Sequence, residues 1–121
     1  MNVFIIGAVR DASPEFKLSL ELHVKELEQN GHKVHLPHRD TKQDAKGIDI
    51  CRQNIQAIKD ADEVHLFYRP DSQGSHFDMG VAFALNKPLK VISCPSYGEG
   101  KSFPRMVHEW QELTKKKQNE T

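Results

Sequence analysis

Two polar stretches of this sequence hold side chains suited to chemistry. One is Asp71–Ser72–Gln73–Gly74–Ser75–His76–Phe77–Asp78–Met79–Gly80. A helix opening within it puts Asp78 in the first turn, where the helix dipole favours a carboxylate and should keep it ionised. Such a group can attack an electrophilic carbon or accept a hydrogen bond from a sugar hydroxyl. It is equally an ordinary first-turn acid. The other stretch is Gly7–Ala8–Val9–Arg10–Asp11–Ala12–Ser13. Backbone N–H groups at a helix N-terminus bind anions, and Arg10 would add a charged hydrogen bond to a phosphate. With a single glycine this is neither a dinucleotide fingerprint nor a phosphate-binding P-loop. A plain strand-to-helix turn with a surface arginine has the same residues.

A third cluster is His35, Pro37, His38, Arg39 and Asp40. Zinc is a poor fit: His35 and His38 sit at a strand end, do not share a helix face and lack a fixed third ligand. Contact with the base or sugar of a ligand suits the cluster better, with His38 the residue singled out. No metal site and no cofactor are expected. His23, His65 and His108 fall within a helix, a buried strand and the last helix, and read as structural. Tyr97–Gly98–Glu99–Gly100–Lys101–Ser102 lacks the glycine spacing of a P-loop and reads as a flap or a dimer contact.

These residues need a scaffold, and apolar strands alternating with amphipathic helices supply one. Strands are predicted over 2–6, 33–36, 63–67 and 89–93. Gly7 should end the first with unusual backbone angles. Helices are predicted over 14–30, with Ser13 as N-cap and Pro14 at its first position, then 49–60, 75–85 and 103–116. Residues 38–47 read as loop. Ile48, Cys51, Ile55 and Ile58 are expected on the inner face of the second helix. Gly80, Ala82 and Ala84 would let the third lie close to the sheet or to a partner helix. Trp110 should pack the last helix onto the sheet. The pattern is that of an α/β, three-layer, flavodoxin-like (Rossmann-like) domain with a parallel sheet of four to five strands. Ligands bind such sheets outside the strand carboxyl ends. One domain over 1–117 with a polar tail over 118–121 is expected.

Composition narrows the partners. The 17 basic and 17 acidic residues cancel, so nothing in the charge calls for nucleic acid or a membrane surface. The first seven residues are too short for a signal sequence, and no apolar run approaches a membrane span. Two cysteines without metal-type spacing suit free thiols in a reducing, cytoplasmic setting. At 37% hydrophobic the core is thin, and a second copy would help bury apolar surface.

Residues 74–92, GSHFDMGVAFALNKPLKVI, resemble the nucleoside 2-deoxyribosyltransferase family, which includes the deoxynucleoside monophosphate N-glycosidases. The Gly7–Arg10 loop agrees with the family's Gly-small-x-Arg opening. Ile58–Lys59–Asp60–Ala61–Asp62 agrees with its Ile-x-x-Ala-Asp, and the spacing from Asn54 to Asp78 matches that of its two catalytic carboxylates. The resemblance spans about residues 2 to 95 and marks a divergent member. It implies cleavage or transfer of the N-glycosidic bond of a nucleoside or nucleoside 5′-monophosphate, through a glycosyl ester. It implies a homodimer or larger assembly with a partner completing each pocket.

Residue by residue, the family's nucleophilic Glu falls on Asp78, its Asp on Asn54 and its Tyr on Phe4. Asp78 would attack, with Asn54 positioning sugar or base. Gly7, Ala8, Arg10, Gly74 and Ser75 would grip phosphate or ribose, beside Phe4. Asp71 and His76 are the nearest substitutes for the missing proton donor. Asparagine cannot deliver a proton and phenylalanine has no hydroxyl. A binding module without chemistry is therefore the alternative.

Overall fold

Apolar residues on both parities of a strand mean burial on both faces, and the central strands show this. The computed structural model describes residues 1–119. The elements are β1 (Asn2–Ile6), α1 (Pro14–Gln29), β2 (Lys33–His35), α2 (Pro37–Asp40), α3 (Gly47–Asp60), β3 (Glu63–Phe67), α4 (Gln73–Ala84), β4 (Leu89–Ser93) and α5 (Phe103–Asn119). The strands form one parallel sheet in the order β2-β1-β3-β4.

Val3 and Ile5 of β1 point to one face, under Leu20 and Val24 of α1. Phe4 and Ile6 point to the other. There they meet Ile58 of α3, Met79 and Ala82 of α4, and Val107 and Trp110 of α5. The chain leaves β1 toward β2 and leaves β3 toward β4, so strand order reverses between β1 and β3. The crevice for a ligand lies at their carboxyl ends.

Both sheet edges are closed by helix side chains. At the β4 edge, Leu89 N–H donates to Thr114 Oγ1 at 3.0 Å and Val91 N–H to Gln111 Oε1 at 2.6 Å. At the β2 edge, Arg39 donates to the Val34 carbonyl at 3.1 Å, and Leu36 N–H donates to Asp40 at 2.8 Å. Side chains bonded to edge-strand backbone groups discourage pairing with another chain. The sheet has four strands, and α5 occupies the β4 edge. Trp110 packs the helix as expected, donating Nε1–H to the Lys87 carbonyl.

Several expected boundaries shift. Pro37 starts the one-turn helix α2 where a loop was expected, and Thr41 N–H closes it on the Pro37 carbonyl. Ser72 Oγ accepts from Ser75 N–H and caps α4, which therefore starts at Gln73. The inner face of α3 is Asn54 and Ile58. Ile48 is exposed and Cys51 and Ile55 half-buried, because the helix turns its polar Asn54 inward. The tail expected from residue 118 is helical through Asn119, and its last two residues lie outside those described. Among the described residues no helix is long and apolar enough to cross a membrane.

Gly7 has no positive φ; that conformation falls on Asp11 (φ 57°) in the same loop. Space is what demands glycine: a Cβ there would lie 2.5 Å from Leu20 Cδ1 and 3.3 Å from Phe67 Cβ.

Candidate active site

The β1–α1 and β3–α4 loops face each other across a cleft of about 310 Å3, lined by Ala8, Arg10, Asp11, Arg69, Asp71, Ser72, Gln73 and Gly74. Arg69 binds the two loops together. Its Nη1 donates to the carbonyls of Ala8 at 3.0 Å and Arg10 at 2.6 Å, and its Nη2 to Asp71 at 2.9 Å. The Phe16 ring lies beneath the guanidinium. Sequence reasoning missed Arg69; the signal was an arginine just past a buried strand end.

Asp78 lies one turn of α4 beyond Gly74, on the same face of the helix. It is in the second turn, since α4 starts at Gln73, and it is 6% exposed. Asn54 of α3 faces it, with Nδ2 at 3.5 Å from Oδ1 and 3.4 Å from Oδ2. Contacts that long are weak. They cannot offset the loss of water, so burial pushes the carboxyl up to about 7 while the Asn54 amide pulls only modestly the other way. The carboxylate expected to stay ionised through the helix dipole is instead balanced near neutrality. Burial outweighs the dipole, which weakens beyond the first turn.

A polar chain runs from this pair into the sheet. Thr41, at the end of α2, donates its hydroxyl to Asn54 Oδ1 at 2.6 Å and accepts from His35 Nε2 at 2.8 Å. His35 stacks on Phe4, with centroids 5.4 Å apart and planes 6° from parallel. Phe4 thus supports the site from below, fully buried. Thr41 was also missed: a lone threonine in a charged stretch gave no sign that it would be 3% exposed.

His76 is committed within the protein. Nδ1 donates to the Ser72 carbonyl at 2.6 Å, Nε2 meets the Tyr68 hydroxyl at 3.0 Å, and the ring packs edge-on against Phe103. With both nitrogens bonded it is not poised as a proton donor. Asp71 is held by Arg69. Ser75 is buried and bonded to Ser72. His38 is placed elsewhere. It lines a groove with Glu21, Val24 and Leu36 on the α1 side of the sheet, away from α3 and α4, because α2 turns it back over β2. The structure thus brings Phe4, Asn54 and Asp78 into one cluster and Ala8, Arg10, Asp71 and Gly74 into the adjoining cleft. It leaves His38 out.

No model of a protein family matches the chain, and no curated protein sequence does. Solved structures do. One is the 2-deoxyribosyltransferase of the psychrotolerant bacterium Bacillus psychrosaccharolyticus: TM-score 0.68 and 17% identity, over 94% of this chain and 90% of that one. The chain shares that enzyme's fold. The CMP N-glycosidase BcmB of Clostridium botulinum has it too, with TM-score 0.66 and 20% identity over the full length of both chains. In this fold the cleft at the start of α4 and the buried Asp78–Asn54 pair are linked by one turn of that helix, from Gly74 to Asp78.

Proposed function

We propose that this protein cleaves or transfers the N-glycosidic bond of a nucleoside or nucleoside 5′-monophosphate. The observation that carries this reading is the buried Asp78 carboxyl, faced by the Asn54 amide one helical turn below the cleft. Ionised Asp78 attacks C1′. An Oδ–C1′ bond forms, the C1′–N bond breaks, and the base leaves with its electron pair and takes up a proton from solvent water. Water or a second base then displaces the carboxylate from C1′, restoring Asp78 and giving net retention. The Asn54 amide holds the carboxylate without competing for its charge. The α4 N-terminus with Arg10, Ala8 and Gly74 receives the ribose or its 5′-phosphate.

The alternative is a module that binds nucleotides without turnover. What favours it is that, among the described residues near Asp78, Asn54 and Phe4 cannot supply a proton and His76 is tied to Ser72 and Tyr68. Incubation with a panel of nucleosides and 5′-monophosphates, with free base followed by chromatography, separates the two. Base release supports the enzyme. A rise in melting temperature with the same ligands and no free base supports the binder.

The working form we propose is a homodimer or larger assembly in the cytoplasm. Phe77 on α4 is 44% exposed and would be covered in such an assembly. Light scattering should return at least a dimer mass, and Phe77→Asp should reduce it to the monomer. A monomeric parent protein contradicts this. Cys51 and Cys94 are both free thiols, as a reducing compartment allows.

A further inference from the structure

The orientation of an amide is decided by its neighbours. Asn54 offers Asp78 either a donor, Nδ2, or an acceptor, Oδ1, and the two have opposite effects on a carboxyl. A donor favours the ionised form and an acceptor the protonated one. The choice is made on the far side of Asn54, at Thr41.

A hydroxyl carries one hydrogen. His35 Nε2 lies 2.8 Å from Thr41 Oγ1. Burial lowers the affinity of His35 for a second proton, while Asp40 opposes this and Arg39 reinforces it, so the ring is neutral at pH 7. One hydroxyl hydrogen serves both contacts only when Thr41 donates to Asn54 and the threonine oxygen accepts from His35 Nε2–H. The hydroxyl hydrogen then goes to Asn54 Oδ1 at 2.6 Å. Oδ1 is thereby fixed as an acceptor, and Nδ2 is left to face Asp78. Phe4 holds the imidazole flat beneath it all. Among the described residues no charged side chain pairs with Asp78, so the amide is its principal polar partner.

We propose that Thr41 is a positioning residue: held by His35, it fixes the Asn54 amide with its N–H toward Asp78 and so keeps that carboxyl able to ionise and attack. The link to catalysis rests on the function proposed above. The relay itself needs no substrate.

Asp78 can be titrated directly, by carboxyl-carbon NMR of the ligand-free protein. Thr41→Val removes the hydroxyl and frees Asn54 to turn Oδ1 toward the carboxyl. The midpoint, about 7 in the parent protein, should rise by about half a unit or more. Thr41→Ser keeps the hydroxyl and should restore the parent midpoint, which a purely packing role would not explain. A Thr41→Val midpoint equal to the parent's, or a Thr41→Ser midpoint displaced as far as that of Thr41→Val, overturns the proposal. If Thr41→Val does not fold, the parent protein gives the answer: a protected Thr41 hydroxyl proton whose resonance moves with the Asp78 midpoint supports the relay, and one indifferent to it contradicts the relay. Midpoints that shift as expected in proteins that never release base leave the relay standing and remove the glycosidase reading. Base release with an unshifted Thr41→Val midpoint does the reverse.

Discussion

Asn54 Nδ2 sits 3.4 Å from Asp78 Oδ2 and 3.5 Å from Oδ1, and this one amide is the main polar support of a buried carboxyl. The pair joins the middle of α3 to the second turn of α4. Its weakness leaves the carboxyl poised between its two protonation states at neutral pH.

Stability should therefore depend on pH through Asp78. In the unfolded chain its carboxyl titrates near the ordinary value of about 3.9, and in the folded protein at about 7. A raised folded value means the stabilisation is complete below pH ~4 and is lost as pH rises through about 7. A gap of that size is worth about 3–4 kcal/mol. Asp78→Asn should abolish this fall and be more stable than the parent at pH 8 by a few kcal/mol. Urea unfolding at several pH values between 4 and 8 measures it. An equal slope in both proteins contradicts the burial argument.

The histidines act in the opposite sense. His65 is buried in β3, bonded to His23 at 2.8 Å and to Glu63 at 2.9 Å. Burial lowers the affinity of His65 for a proton, with Glu63 opposing this and His23 and Lys90 reinforcing it; burial and Lys90 also lower that of His23. Lowered folded values mean stability is full above pH ~6.5 and lost as pH falls. In Asp78→Asn this acid limb should stand alone, with stability declining steadily below pH ~6.5. A variant as stable at pH 5 as at pH 7.5 contradicts it.

Much of this was legible beforehand. The alternation of apolar strands with amphipathic helices, and the Ser13–Pro14 start of α1, pointed to the layers and the ligand-binding end. The motif around Asp78 pointed to the fold that the chain shares with the solved structures. The rest depends on tertiary packing. Nothing local to Asp78 says that it will be buried, so its charge state was misjudged from the helix dipole. Thr41 and Arg69 act through partners far along the chain, at Asn54 and Ala8, and spacing does not show such partners. His38 was singled out, but the single turn of α2 puts it over the other face and it is His35 that joins the polar chain to Asn54.

Gly7→Ala tests the approach of α1 to the sheet. The added methyl meets Leu20 Cδ1, and Leu20 is itself fully buried and has little room to give. Overpacking of this kind costs about 1–3 kcal/mol. The urea midpoint should fall accordingly; an unchanged midpoint would show that α1 shifts freely.

Thr114→Val tests the closure of the β4 edge. Valine matches the shape but leaves the Leu89 N–H buried without its acceptor. A loss of about 1–3 kcal/mol is expected, with faster aggregation as the edge becomes available to pair. Unaltered stability would mean that α5 closes this edge by packing alone.

The most direct measurement compares the parent with Asp78→Ala for free base released from nucleosides and 5′-monophosphates between pH 5.5 and 8.5. The parent should release base at a rate that rises with pH to a plateau above about 7, where the carboxyl is ionised. Asp78→Ala should release none while still being stabilised by the same ligands. Equal release by both proteins, or parent activity that falls across that range, would contradict Asp78 as the attacking group.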